Sequence, residues 1–146
     1  SFLTPEEYFS FVGKAYGLSP AEIQERLRIF EPLFNGDVLK QKKLIREYSS
    51  GNKGKIGIAA AMMVQPKVLL LDEPFANLDP SSQIKLMKML KDMAAQKTTT
   101  LLISSHDLSH ITTLCDRIAL IERGRIIKDD ATTPETLCEL QQYFGA

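Results

Sequence analysis

The stretch Val68-Leu69-Leu70-Leu71-Asp72-Glu73-Pro74 decides the fold, because four apolar residues run directly into two adjacent carboxylates and a proline. A continuous apolar run of this length predicts a strand buried on both faces, as in a parallel sheet. An unpaired buried charge is very costly, so two acids at the end of such a strand need a partner. The usual partner is a metal ion with a phosphate chain, bound at the carboxyl end of the strand. The stretch therefore predicts a nucleotide hydrolase.

The part of the chain before this strand is predicted to be helical. Two capping boxes with proline at the first helical position, Thr4-Pro5-Glu6-Glu7 and Ser19-Pro20-Ala21-Glu22, begin helices that extend to about Tyr16 and Leu33. Their apolar residues recur at helical spacing. The segments that follow are predicted as a turn at Asn35-Gly36-Asp37, a short helix at Leu39–Glu47 and an alanine-rich helix at Ser50–Val64.

Strands and helices alternate after Pro66, which predicts an α/β fold whose parallel sheet is built from right-handed crossovers. A tight turn at Arg123-Gly124 then leads into Arg125–Lys128, and Thr133-Pro134 caps a final helix. We expect two regions, a helical one at 1–64 and an α/β one at 65–146. The alternating elements are Val68–Leu71, Pro80–Gln96, Thr99–Ser104, Asp107–Cys115 and Arg117–Ile121.

The composition is that of a soluble globular domain of 146 residues, with 44% apolar and 25% charged residues. The net charge is zero, which argues against a nucleic-acid binder driven by bulk charge. No secretory signal or apolar run near 18 residues occurs, so we expect neither export nor a membrane span, although docking on a membrane protein stays possible. Cys115 and Cys138 are expected to be buried free thiols, which fits a reducing compartment.

Asp72, Glu73 and His106 are the main candidates for chemistry. An aspartate at the end of a strand can hold Mg²⁺, and its neighbour, on the other side of the extended chain, can polarise an attacking water. His106 follows the next strand, so it should lie near Glu73 at the carboxyl edge of the sheet, where it could bond a γ-phosphate. The alternatives are that the acids cap the following turn and that His106 merely begins a helix.

Small residues at Tyr48-Ser49-Ser50-Gly51-Asn52 precede the alanine-rich helix and form a possible anion site at its N-terminus. The stretch Gly51–Lys55 is not a phosphate loop, because its spacing is wrong and no strand precedes it. Asp79 before Pro80 is predicted as an N-cap, and His110 as a surface residue. A basic cluster, which we expect to be a solvated surface or else a contact for phosphate or a membrane-adjacent partner, comprises Lys40, Lys42, Lys43, Arg46, Lys53 and Lys55.

The order of these segments resembles the nucleotide-binding domains of ATP-binding-cassette (ABC) proteins. The resemblance covers nearly the whole chain and implies a partial P-loop NTPase parallel sheet, preceded by a helical subdomain. The segments resemble, in order, the LSGGQ signature (YSSGN, 48–52), the Walker B motif (LLLDEP, 69–74), the D-loop (ANLD, 76–79) and the H-loop (SSHD, 104–107).

The resemblance also implies a role for each matching residue. Asp72 would serve Mg²⁺, Glu73 would be the general base, and His106 would bind the γ-phosphate of ATP. Asp79 would communicate across a dimer of two nucleotide-binding domains. The residues that would close over ATP held by the second domain are Ser49, Gly51 and Asn52.

The Walker A phosphate loop and the glutamine loop of that family have no counterpart in the chain, so we interpret it as an inactive fragment of an ATPase. We expect the sheet edge left open to favour an oligomer that buries it. The resemblance implies that the intact protein hydrolyses ATP, is cytoplasmic and binds the inner face of the membrane through a permease. The alternatives are a soluble ABC-class ATPase in translation or DNA repair, and a non-catalytic interaction module.

Overall fold

The computed structural model describes residues 2–145, so the two terminal residues of the predicted regions lie outside the described residues. The elements follow in this order: α1 (Pro5–Ala15), α2 (Pro20–Arg28), α3 (Glu31–Phe34), a 3-10 turn (Ile45–Glu47), α4 (Ser50–Met63), β1 (Val68–Asp72), α5 (Pro80–Ala95), β2 (Thr100–Ser104), α6 (Leu108–Leu114), β3 (Arg117–Glu122), β4 (Arg125–Ala131) and α7 (Thr136–Gly145).

The two predicted capping boxes are confirmed at the starts of α1 and α2. The backbone N–H of Thr4 donates to Glu7 Oε2 at 2.7 Å, and that of Ser19 donates to Glu22 Oε2 at 2.8 Å. The predicted end of α2 at Leu33 is wrong. Pro32 has no N–H for the carbonyl of residue 28 and its ring would crowd that carbonyl, so α2 ends there and α3 begins separately.

The predicted helix at Leu39–Glu47 is also wrong, since only Ile45–Glu47 is helical, as a single 3-10 turn. Tertiary hydrogen bonds hold the segment instead. The N–H of Lys40, which has a left-handed backbone (φ 65°), donates to Glu6 Oε1 at 2.5 Å. The N–H of Ile45 donates to the carbonyl of Leu3 at 2.9 Å. These bonds fasten the segment to the chain around the start of α1.

Strands β1 and β2 form a parallel pair in which Asp72 lies opposite Ser104. The prediction that β1 is buried on both faces is wrong. Leu69 and Leu71 are buried, whereas Leu70 on the other face is 68% exposed. Only one face packs on the rest of the described chain, with α4 contacting β1. Within residues 2–145, β1 pairs with β2 alone, so its other edge is unpaired there.

The expectation that Arg117–Ile121 joins this parallel sheet is wrong. Within the described residues β3 pairs with β4 alone, in a hairpin separate from the parallel pair. The hairpin is antiparallel because the two-residue turn at Arg123-Gly124 is too short for a parallel crossover. Both turn residues have positive φ, 49° and 77°. An ion pair of 2.6 Å between Lys128 of β4 and Glu139 joins α7 to the hairpin.

Both cysteines are free thiols, as predicted, but only Cys115 is partly buried. Cys138 is exposed, because the buried residues of α7 are Thr136 and Leu140, on the opposite side of the helix. The burial predicted for Cys138 is therefore wrong.

One hydrophobic core includes residues of the helical region and of β1 and α5. In its helical part the ring of Phe34 contacts those of Phe9 and Phe30, with ring centroids 5.9 and 6.2 Å apart, respectively. Leu86 and Leu90 of α5 are fully buried in the same core. The predicted boundary at residue 64 thus falls at the end of α4, inside a shared core. No helix within residues 2–145 is long and apolar enough to cross a membrane.

Candidate functional site

The carboxyl ends of β1 and β2 meet at a network of hydrogen bonds centred on Ser104. Its hydroxyl donates to the carboxylate of Asp72. The backbone N–H of Glu73 donates to the Ser104 carbonyl at 3.1 Å and to its hydroxyl oxygen at 3.2 Å. No motif singles out Ser104, although a parallel register in which both strands end together predicts this contact. The network fixes both acids at the edge of the sheet.

The backbone of Glu73 is left-handed (φ 45°), so the expectation of an extended chain at this residue is wrong. A turn follows at once, because the N–H of Ala76 donates to the Glu73 carbonyl at 3.0 Å. A left-handed conformation costs a non-glycine residue free energy, and such conformations cluster at functional sites. The bonds to Ser104 stabilise this conformation.

The predicted proximity of His106 and Glu73 is confirmed, with 2.8 Å between His106 Nδ1 and Glu73 Oε1. The hydrogen bond and the negative charge of Glu73 raise the pKa of His106 above its usual value. His106 does not cap α6. The N-cap is Asp107, whose side chain accepts from the backbone N–H of Ser109 at 3.0 Å. The imidazole is 85% exposed and the carboxylate 35% exposed, so both groups are accessible to a ligand.

Asp72 is exposed at the end of β1 and accepts the hydroxyl of Ser104. Among residues 2–145, no group of three or more His, Cys, Asp or Glu side chains is arranged to hold a metal ion. Mg²⁺ commonly uses only one or two carboxylates, together with substrate phosphates and water. An exposed aspartate at the end of a strand therefore fits a Mg²⁺ ion whose other ligands would be phosphates and water.

The N-terminus of α4 is built by the predicted small-residue stretch. Ser49 is the N-cap, and its hydroxyl accepts from the backbone N–H of Asn52 at 3.3 Å. Gly51 lies in the first turn, and a Cβ added to it would overlap the carbonyl oxygen of Asn77. The glycine therefore permits close contact between α4 and the segment that follows Glu73.

Residues 73–79, which we call the acid loop, connect β1 to α5. Asp79 at its end caps α5, as predicted, accepting from the backbone N–H of Ser82 at 3.0 Å and from its hydroxyl at 2.5 Å. These bonds, with a smaller contribution from the charge of Lys55, lower the pKa of Asp79 to about 2. Gln83 Nε2 donates to the Phe75 carbonyl at 3.2 Å, which fastens the middle of the loop to α5.

Lys55 is not part of a solvated basic surface, contrary to the sequence analysis. Its side chain is only 6% exposed, and its Nζ lies 3.5 Å from Asp79 Oδ2. Its position in α4, four residues after Gly51, places it on the same side of the helix, one turn further on. The four-residue spacing from Gly51, a candidate site residue, was the available signal that Lys55 lies near the site and close to Asp79.

The prediction that His110 lies on the surface is wrong. Its side chain is 20% exposed and its ring centroid is 4.6 Å from that of Phe75 in the acid loop. Its Nδ1 is 3.4 Å from Asp107 Oδ2 without forming a hydrogen bond. The aromatic ring of Phe75 shields the imidazole from solvent, and no pattern in the sequence indicated this contact.

Comparison with known proteins places this site in context. A family model described as "AAA domain, putative AbiEii toxin, Type IV TA system" matches residues 20–111. The chain is 35% identical over 111 residues to a methionine import ATP-binding protein of Carboxydothermus hydrogenoformans, covering 75% of this chain and 33% of that protein. It is 34% identical over 126 residues to the linearmycin resistance ATP-binding protein of Bacillus subtilis, covering 86% of this chain and 40% of that protein.

Two solved structures resemble the chain along almost its whole length. One is described as the ATP-binding subunit of an ABC transporter, with a TM-score of 0.80, 28% identity, and coverage of 98% of this chain and 57% of that one. The other is cbiO1 of Clostridium perfringens, described as part of the ABC transporter complex cbiONQ, with a TM-score of 0.71, 27% identity, and coverage of 99% and 57%. The chain thus spans a third to two fifths of the two curated relatives and just over half of the two solved chains.

Proposed function

Because the chain belongs to the family of ABC nucleotide-binding domains, we propose that the whole protein binds and hydrolyses ATP to drive transport across a membrane. The observation that carries this proposal is the contact between Glu73 and His106 at the carboxyl edge of β1 and β2. Ligands of open α/β sheets bind at this edge.

Glu73 is the general base in this proposal, and His106 stabilises the γ-phosphate. The partly exposed carboxylate of Glu73 can take a proton from an attacking water. The raised pKa of His106 favours the imidazolium, which can donate a charge-assisted hydrogen bond to a phosphate oxygen. A phosphate that draws the imidazolium away leaves Glu73 free to accept the proton. The hydrolysed bond is that between the γ-phosphorus and the bridging oxygen of ADP, which leaves with the electron pair.

Mg²⁺ is the proposed cofactor, and Asp72 is the residue that would hold it, with Ser104 orienting the carboxylate. When bound, the ion would neutralise charge on the β- and γ-phosphates. The proposal needs no larger group of protein ligands, because phosphates and water complete the coordination of Mg²⁺ in such sites.

A dimer of two such domains is the proposed active form. Ser49, Gly51 and Asn52 would contact ATP held by the second domain, since the positive end of the helix dipole at the N-terminus of α4 favours anions. Asp79 would communicate between the two sites. The order of the segments along the chain supports these roles, and so does the contact of Gly51 with the acid loop.

The proposed partner is a membrane-embedded permease. The names of the relatives support it, since they include an import protein, a resistance protein and a component of a transporter complex. The protein would then be cytoplasmic and bound to the inner face of the membrane through the permease.

The test is steady-state ATP hydrolysis by the whole protein, with and without Mg²⁺, before and after reconstitution with its permease partner. We expect hydrolysis that saturates with ATP, requires Mg²⁺ and rises with the permease. Stimulation by ribosomes or DNA in place of the permease would contradict the transport role. The absence of both ATP binding and hydrolysis would contradict the enzymatic role and favour an interaction module.

A further inference from the structure

The acid loop is fastened to α4 at two places. The carbonyl of Asn77, whose backbone is left-handed (φ 59°), lies against Gly51 in the first turn of α4. One turn further along, Lys55 Nζ lies 3.5 Å from the carboxylate of Asp79. Both contacts are on one side of the helix, so the end of the acid loop cannot move relative to α4 without breaking them.

The ion pair between Lys55 and Asp79 contributes little to stability, for two reasons. The Asp79 side chain is 56% exposed and already bonded to both the backbone and the hydroxyl of Ser82, so it does not need the lysine. The ammonium of Lys55, in contrast, has lost most of its hydration, because its side chain is 6% exposed. Removing one member of a buried pair destabilises a protein mainly by leaving the other charge buried and unpaired, whereas Asp79 would stay exposed and bonded to Ser82. The pair therefore requires an explanation other than stability.

We propose that Lys55 is a positioning residue, which transmits the position of α4 to the acid loop and so to Glu73. This inference rests on the proposed function, in which the first turn of α4 binds the phosphates of ATP on a second subunit. Phosphate contact at Gly51 and Asn52 shifts α4, and Lys55 carries that shift to Asp79. Glu73 lies at the other end of the same loop, where Ser104 and His106 hold it. ATP bound at one site then sets the alignment of the general base at the other.

Measurements of kcat and of Tm distinguish a positioning role of Lys55 from a purely structural one. If Lys55 only supported the fold, its loss would lower the Tm and leave the kcat of the folded protein unchanged. If Lys55 positions the acid loop, its loss lowers the kcat while the Tm and the KM for ATP stay the same. A misalignment of the base of about 1 Å can reduce the rate by up to roughly 100-fold.

The experiment compares three variants of the whole protein: Lys55→Met, Lys55→Arg and the control Lys91→Met. Methionine is close to lysine in volume and lacks the charge, whereas arginine keeps it. Lys91 is an exposed lysine of α5 that lies outside the proposed site. ATP hydrolysis gives kcat and KM, and thermal unfolding gives the Tm. We expect Lys55→Met to lower kcat roughly 10- to 100-fold at unchanged KM and Tm, Lys55→Arg to recover most of the loss, and Lys91→Met to match the wild type.

Either of two results would overturn the inference while leaving the proposed function intact. One is a Lys55→Met protein with the kcat of the wild type. The other is a Lys55→Met protein that fails to fold, or whose loss of kcat is matched by its loss of folded protein, since Lys55 would then be structural. A wild-type protein that does not hydrolyse ATP would instead overturn the proposed function itself.

Discussion

Replacing Gly51 by alanine should destabilise the protein, although the same replacement elsewhere in α4 should stabilise it. Gly54 and Gly57 lie in the same helix, and a Cβ added to either meets no other atom within 4 Å. At Gly51 the added Cβ overlaps the carbonyl oxygen of Asn77. That oxygen belongs to the backbone, so it cannot rotate away as the end of a side chain could.

The size of the effect follows from two opposed contributions. Alanine in an unstrained helical position stabilises a protein by about 0.5–1 kcal/mol relative to glycine, which is the expected result for Gly54→Ala and Gly57→Ala. Overpacking typically costs about 1–3 kcal/mol. Gly51→Ala should therefore be less stable than either control variant by about 1–3 kcal/mol, because the overpacking is the difference between them.

Urea denaturation of the three variants and the wild type, monitored by circular dichroism, measures these differences in the free energy of unfolding. A Gly51→Ala protein as stable as Gly57→Ala would refute the close contact between α4 and the acid loop. It would also remove one of the two fastening points on which the positioning role of Lys55 depends.

Three further changes test other parts of the structure. The pKa of His106, measured by NMR titration, should lie above its usual 6.5 in the wild type and fall back in Glu73→Gln. The stabilisation that protonated His106 gains from Glu73 is full below pH 6.5 and is lost as the pH rises through the raised pKa. A normal pKa in the wild type would contradict the ion pair. The contribution of Asp79 to stability should be complete above pH 3.8 and lost as the pH falls through about 2, so Asp79→Asn should flatten the acid limb of the Tm profile, and an unchanged limb would argue against its lowered pKa. Leu90→Ala should cost about 2–5 kcal/mol in urea denaturation because Leu90 is fully buried, whereas the exposed neighbour Lys91→Ala should stay within about 0.5 kcal/mol, and equal effects would contradict the core.

Local signals predicted the elements that local chemistry controls. Thr4 and Ser19 begin helices because each side chain and its glutamate satisfy free backbone N–H groups, which depends only on nearby residues. The Arg123-Gly124 turn follows in the same way from the backbone freedom of Gly124, whose φ is 77°. The contact between Glu73 and His106 was also predictable, because two parallel strands that end together bring the following residues together.

Tertiary contacts account for the predictions that failed. Lys40 bonds to Glu6 and so leaves the predicted helix, and only the folded chain brings the two together. Lys55 looked like one of several surface lysines because its partner, Asp79, is distant in sequence. A continuous apolar run could not show which face of β1 the described chain covers, since Leu69 and Leu70 are equally apolar and only the former is buried.

Single-turnover ATP hydrolysis by the whole protein carrying Glu73→Gln tests the central assignment most directly. Glutamine keeps the shape of the side chain and cannot accept the proton, so we expect ATP to bind as before while the hydrolysis rate falls roughly 100-fold or more. A Glu73→Gln protein that hydrolyses bound ATP at the wild-type rate would contradict the role of Glu73 as the base.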